Sequence, residues 1–500
     1  MNFMSFKIPD GIGSLVNLST LSMSRNNFSG GIPSSIQNLT NLETLELENN
    51  SGLSGEIPTW LFRLQKLRKL RLGGNKLQWN NNGSIFPQSK LTHLSLSSCG
   101  LEGKIPDWLK NQTDLSFLDL SLNRLEGSFP KWLADLKMGN IILSDNRLSG
   151  SLPPSLFQSL RLFVLALSRN NFSGHIPNTV GETSLMILKL SENNFSGSVP
   201  KSIANIYRLL WLDLSKNKLS GEFPRFIACI ARHIFERVLW RCSSFFRVKH
   251  PLSPGYLNLL RFLRNNSLKG SITEDISTLT SLKVLDLFEN SLDGNLGNLT
   301  GMVESPTSSS SIVSSFISEI TDLSETESQD LEVIWKRVKQ VISNRNFYLY
   351  TVLDLSKNKL RGEIPTSLGN LKSLKLLNLS HNDISGSIPQ SFGGLEKLEI
   401  LDVSYNNLSG KIPQTLSRLS ELDVLDLSNN NLSVSCSTTR TEQQPKEEDD
   451  EEKEATVPWE AVVIVGCFRD STPRRSPKNR GFKDKVIQLP IPHEEMTTEK

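Results

Sequence analysis

Cys229, His233, Cys242 and His250 fall within one segment and carry the side chains that zinc prefers. Their spacing, C-x3-H-x8-C-x7-H, follows no zinc pattern, and no metal site is expected. The five cysteines (Cys99, Cys229, Cys242, Cys436 and Cys467) are scattered and odd in number, so no disulfide framework is legible. Six histidines lie apart from one another, and His93 and His381 read as ordinary surface residues. A phosphate-cradling glycine loop, a kinase lysine with its HRD set, GxSxG and HExxH are all missing. The reading is therefore of a protein that is not an enzyme and holds no cofactor. A formal net charge of +3 gives no case for nucleic acid as a partner.

The chemistry left is non-covalent recognition. Phe117, Asp119, Lys189, Trp211 and Asp213 are candidates for ligand contact, because each falls on the outward side of a short strand pattern. Phe117 and Trp211 read as exposed aromatics on the strand face, which either anchor a ligand or only cover neighbouring side chains. Glu46, Glu48, Lys69, Arg71, His93 and Ser95 share that side. A second candidate set is Trp335, Lys336, Phe347, Tyr348 and Tyr350, whose types commonly anchor interfaces.

A repeat must position these residues. VLDLSKNKLRGEIPTSLGNLKSL is followed by two close variants and a final VLDLSNNNL, so that Asn358, Asn382, Asn406 and Asn430 recur every 24 residues. L-x-x-L-x-L-x-x-N at a fixed period is the signature of a stacked leucine-rich array. Leu353 and Leu355 lie two apart on a strand and share its inner face; Asp354 and Ser356 are expected to point to water. Asn358 follows at the turn, where its amide can serve backbone groups that the turn leaves unpaired. Gly362 and Pro365 shape the bend, and Leu368, Leu371 and Leu374 carry the chain back with an apolar residue every third position. One coil cannot bury its apolar side alone, so coils must stack.

Upstream, the same position holds Asn26, Asn50, Asn75, Cys99, Asn123, Asn146, Asn170, Asn193 and Asn217, then Asn266 and Asn290. Cys99 reads as a buried substitute within this ladder. Fifteen ladder positions imply fifteen strands, at about 4.8 Å each, in a concave parallel sheet on the order of 70 Å long. The fold class is an α/β-type repeat solenoid.

Composition divides the chain further. Repeats occupy 1–226, 263–301 and 351–433. Residues 227–262 are basic and aromatic, and read either as a degenerate repeat, as an inserted amphipathic helix, or as foreign sequence. Residues 302–350 form an island, first Ser-rich and acidic, then apolar, basic and aromatic. An acidic linker spans 434–460, an apolar stretch 461–468 and a basic, disordered tail 469–500. Eight apolar residues are fewer than the roughly 20 that cross a bilayer. The first residues show neither a signal peptide nor a polar cap.

With these motifs in hand, the chain resembles plant extracellular leucine-rich receptor-like proteins that lack a kinase domain. The consensus LSGxIPxxLxxLxxLxxLxLSxN carries the likeness. So does the order of parts: a long array, an island ending VIWKRVKQVISNRNFYLY, four regular repeats, an acidic stretch and an apolar start. The resemblance implies a plant-type leucine-rich arc at the plasma membrane with its array outside. It implies a peptide or a microbial or developmental signal as ligand, in defence or development. It also implies a kinase-bearing co-receptor with leucine-rich repeats of its own, contacted by the island and the last four repeats. Against that pattern the chain reads as truncated at both ends, with the spanning helix cut short and Cys436 alone left of a cysteine pair. A soluble binding or scaffold module and a nonfunctional gene product are the alternatives.

Thirteen N-x-S/T sequons fit a secretory origin: Asn17, Asn27, Asn38, Asn49, Asn82, Asn111, Asn171, Asn194, Asn265, Asn298, Asn378, Asn407 and Asn431. Several arise from the NFSG and NLSG consensus itself.

Overall fold

The computed structural model describes residues 6–50, 52–79, 87–206, 208–224, 259–272, 282–298, 331–335, 338–342 and 351–433. Asn82, Lys336, Phe347, Tyr348, Tyr350, the four residues of the C-x3-H-x8-C-x7-H segment, Cys436, Cys467 and the linker and tail after 433 lie outside the described residues. Trp335 ends the strand Leu331–Trp335, which pairs antiparallel with Val338–Ile342 inside the island.

Fifteen strands, from Thr20–Ser22 to Val424–Asp426, form a single parallel sheet in chain order. Register follows the leucine pattern. Leu353 pairs with Leu377, Leu377 with Leu401, and Leu401 with Leu425. Leu377 and Leu401 are fully buried, as are Leu45, Leu70, Leu94 and Leu118 in the same file. Each coil thus places its central strand leucine against those of its neighbours, and the core is one continuous file.

The return path is mostly 3-10 helical. Thr366–Asn370, Gln390–Gly394 and Gln414–Arg418 each follow a proline with φ between −68° and −65°. Leu368 is buried within the first of these helices, Leu371 caps its C-terminus, and Leu374 is buried just beyond. Among the described residues the return of one coil is instead an α-helical turn, Lys131–Asp135.

A second layer of strands is present that the repeat pattern does not announce. The LSG tracts pair into sheets of four, eight and four strands along another side of the solenoid. Gly362 and Gly386 sit there at φ +80°, and a Cβ on Gly386 would lie 2.7 Å from the Glu363 side chain. The second layer breaks twice: between Lys76–Gln78 and Glu102–Gly103, and between Ser291–Leu292 and Arg361–Glu363. At the first break Trp79 stacks against Trp108 with centroids 6.3 Å apart, and both rings meet Phe62 edge-on.

The anomalous segment is crossed in a single step. Trp211–Asp213 pairs directly with Leu259–Phe262, and Leu219 N–H donates to Asn266 Oδ1 at 3.0 Å. The interval from Asn217 to Asn266 is therefore one oversized coil.

Candidate functional site

The strand ends fix the geometry of the concave face. Ladder asparagines bond in both directions. Asn382 Nδ2 donates to the carbonyls of Leu355, Leu379 and Ser380 at 3.1–3.2 Å, and its Oδ1 accepts from Leu360 N–H at 3.0 Å. The pattern recurs at Asn50, Asn75, Asn123, Asn146, Asn170, Asn193, Asn217, Asn266, Asn290, Asn358, Asn406 and Asn430. Asn26, in the first described coil, is exposed and among the described residues donates to the Met23 and Ser24 carbonyls. Cys99 takes its place in the column buried, with Sγ 3.4 Å from the Ser97 carbonyl, and burial pushes its thiol pKa up. The residue before each ladder position is left-handed, with φ of 50°, 55°, 52° and 53° at Lys357, His381, Tyr405 and Asn429. In this row His381 stacks on Tyr405 at 4.2 Å.

Two files of side chains run along the concave sheet. The first is largely apolar: Phe117, Val164, Ile187, Trp211, Val284, Val352, Leu376 and Ile400 belong to one packed cluster. Phe117 and Trp211 are not exposed, contrary to the sequence reading; they are 2% and 3% accessible. Neighbouring strands are close enough that equivalent side chains cover one another. His93 stacks on Phe117 at 5.8 Å and the Arg71 guanidinium lies 5.2 Å from the same ring. Lys189 Nζ sits 4.1 Å over Trp211, and Lys189 is itself buried beside Asp213.

The second file is mixed, with Ile142, Ala166 and Phe262 among polar residues, and becomes acidic toward the C-terminus: Asp213, Asp286, Asp354, Asp402 and Asp426. The expectation that Asp354 and Ser356 face water fails for Ser356 and holds in part for Asp354, which is half-buried. Ser356 is buried, and its N–H and Oγ donate to Asp354 Oδ1 at 3.0 and 2.6 Å. Ser215, Ser404 and Ser428 hold Asp213, Asp402 and Asp426 in the same way. A two-residue step brings hydroxyl and carboxylate to the same side of the strand, where each fixes the other.

Burial dominates the electrostatics. It raises Asp286 to about 7, against the pull of Arg264, 3.6 Å away, and raises Asp354 to about 6. Asp402 is raised for the same reason, and so is Glu48. Burial, with Lys69 and Arg71 nearby, lowers His93 to about 4. His93 is therefore a neutral, packed side chain rather than the ordinary surface histidine of the sequence reading.

The five candidate ligand-contact residues fall into two groups on this face. Phe117 and Asp119 share one strand; Lys189, Trp211 and Asp213 meet three and four strands further on. Asp286, Asp354, Asp402 and Asp426 escaped the sequence reading, although the same register count reaches them. So did Arg261, which occupies an inward leucine position. Among the described residues no group of three or more acidic, histidine or cysteine side chains could hold a metal ion, and no helix is long and apolar enough to cross a membrane.

Of the sequons, Asn17, Asn27, Asn38, Asn111, Asn171, Asn407 and Asn431 are exposed. Asn194 is half-buried and donates to Asn171 Oδ1 at 2.6 Å. Asn49 and Asn265 lie at left-handed turns, and Asn298 ends a short 3-10 helix. Asn378 faces the concave side, with its Oδ1 engaged by Ser380.

Stacked parallel strands, an asparagine ladder and proline-initiated 3-10 returns define a leucine-rich repeat solenoid. Two leucine-rich repeat family models match, one over residues 386–432 and the other over 17–39, 90–112, 114–136, 184–206, 208–230, 351–371 and 373–395. Receptor-like protein 46 of Arabidopsis thaliana is 58% identical over 389 residues, covering 66% of this chain and 48% of the relative. The leucine-rich ectodomain of the Arabidopsis receptor kinase HAESA, in complex with an N-terminally extended IDA peptide hormone, superposes with a TM-score of 0.63. It is 31% identical, over 86% of this chain and 60% of that one. The plant peptide hormone receptor RGFR1, in complex with RGF2, gives 0.61 and 30%, over 86% and 62%. The chain belongs to the plant leucine-rich repeat receptor-like protein family. It spans about half the length of the curated relative it matches.

Proposed function

We propose that this chain is the recognition portion of a plant receptor-like protein, and that its concave sheet takes an extended peptide. The observation that carries this reading is the pairing of an apolar file with a parallel file of serine-held carboxylates over the last strands. An extended peptide laid on such a surface would set polar or basic groups against the half-buried Asp354, Asn378 and Asp402, while Val352, Leu376 and Ile400 stay buried in the packed file. HAESA and RGFR1, which share the fold at about 30% identity, are each solved with a peptide hormone, and HAESA also with the co-receptor SERK1. By that likeness the array faces the outside of the plasma membrane and signals, in defence or development, through a kinase-bearing co-receptor. The island residues Trp335, Lys336, Phe347, Tyr348 and Tyr350, with the last four repeats, are the proposed docking side.

The test is a screen of the full chain against synthetic peptides with secreted-hormone sequences. Asn378→Arg and Val424→Arg change half-buried concave side chains, and Gln414→Arg changes an exposed return-path residue as control. A bound peptide is expected to lose at least about tenfold in affinity with either concave variant, or about 1.4 kcal/mol, and nothing with the control. Equal binding by all three would move the site off the concave sheet.

A further inference from the structure

The island divides the array, yet the strands on either side of it pair in register: Val284 with Val352, Leu285 with Leu353 and Asp286 with Asp354. Two carboxyls therefore lie on adjacent strands, on the same face, at a spacing of about 4.8 Å between chains. Asp286 is buried and Asp354 half-buried. Their surroundings are unequal. Arg264 lies 3.6 Å from Asp286 Oδ2, and the Phe288 N–H donates to its Oδ1 at 3.1 Å. Asp354 Oδ1 is taken by Ser356. Asp213 acts on Asp286 from the N-terminal side and Asp402 on Asp354 from the C-terminal side, both as further negative charges. Phe262 separates Asp213 from Asp286 in the file, and neutral Asn378 separates Asp354 from Asp402. Asp286 and Asp354 have no spacer between them. Asp402 and Asp426 are likewise adjacent, but neither is buried as Asp286 is, so water screens them more.

This junction is also where the second layer of strands is interrupted, leaving an isolated bridge between Asn295 and Arg361. More of the coupling between the first eleven strands and the last four consequently rests on the concave pairing. We propose that Asp286 and Asp354 make this junction a proton-operated seam, joined more firmly when the pair holds a proton and weakened when rising pH removes it.

The direction follows from linkage. Both carboxyls bind protons more tightly folded than unfolded, so their contribution is complete below the ordinary carboxylate range. It is lost as pH climbs through about 6 and about 7. The released proton goes to solvent and leaves two facing carboxylates with Arg264 as the nearer cation.

Hydrogen exchange on the full chain tests the seam. Leu287 and Glu289 N–H donate across it to the Asp354 and Ser356 carbonyls, and Lys359 N–H donates to Leu292 O. Their protection, corrected for intrinsic exchange, is expected to be at least about tenfold higher at about pH 5 than at about pH 7.5. Leu167 and Arg169, which make the same kind of bond to Lys189 and Ser191 carbonyls far from the island, should not change. Asp354→Asn should abolish the difference. Asn378 already makes the same two serine contacts in the next coil, so an amide fits this position. Should Asp354→Asn fail to accumulate, Asp286→Asn replaces it. Equal protection at both pH values, or a pH effect that survives the amide substitution, would overturn the proposal.

Discussion

Asn382→Leu is expected to destabilise the array by about 3–5 kcal/mol, measured by denaturant unfolding. Leucine has nearly the same volume and no polar atom. The change leaves the Leu360 N–H without its acceptor and takes the donor from the carbonyls of Leu355, Leu379 and Ser380. Water cannot readily reach these groups, because Asn382 is buried. Each buried group left unpaired costs about 1–3 kcal/mol, and several are exposed to that cost at once. Asn26→Leu provides the contrast. It is exposed and bonds two carbonyls of its own turn, so the same substitution should cost under about 1 kcal/mol. Equal losses at the two positions would mean that burial within the ladder is irrelevant.

The opposite sign is expected at Arg261. Leu212, Arg261 and Leu285 are register partners in the inward file. The arginine is wholly buried, and its guanidinium donates to the Leu209 and Leu210 carbonyls at 2.9 and 3.0 Å. Burial alone lowers its pKa to about 9, so it still enters the core as a cation at neutral pH. Replacing a buried charge by an apolar side chain of similar volume is often neutral or stabilising by about 1–4 kcal/mol. Arg261→Leu restores the leucine of every neighbouring coil and is expected to raise stability by about 2 kcal/mol in the same unfolding measurement. A loss of that size would show that the two carbonyl contacts outweigh the cost of burying the cation. Arg261 then would hold the oversized coil in place.

The sheet was readable because it is built on one repeated constraint. Leu353, Leu355 and Asn358 stand at fixed separations, and any chain that repeats them every 24 residues must stack them. Counting the fourteen ladder asparagines and Cys99 therefore gave the fifteen strands. Side-chain burial on the concave face was harder to read. Alternation says that Phe117 and Trp211 point away from the leucine core. It does not say that His93, Arg71 and Lys189 from neighbouring strands will close over them. That depends on contacts between coils, which a single repeat does not encode. The LSG strands were missed for a related reason. They run two to five residues and often contain a left-handed glycine, so they look like turns until adjacent coils pair them. The acidic file was countable from the register, but the raised affinity of Asp286 and Asp354 for protons comes from burial and from strands joined across the island.

The account depends most on ladder amides linking every coil to the next through one dry interior. Amide exchange resolved along the whole chain measures this directly. Leu125, Leu148, Leu360, Ile384 and Leu408 each donate to a ladder oxygen of the following coil. Slow exchange at these amides, recurring once per coil, is the predicted result. Exchange there as fast as at the exposed return-path residues would contradict it.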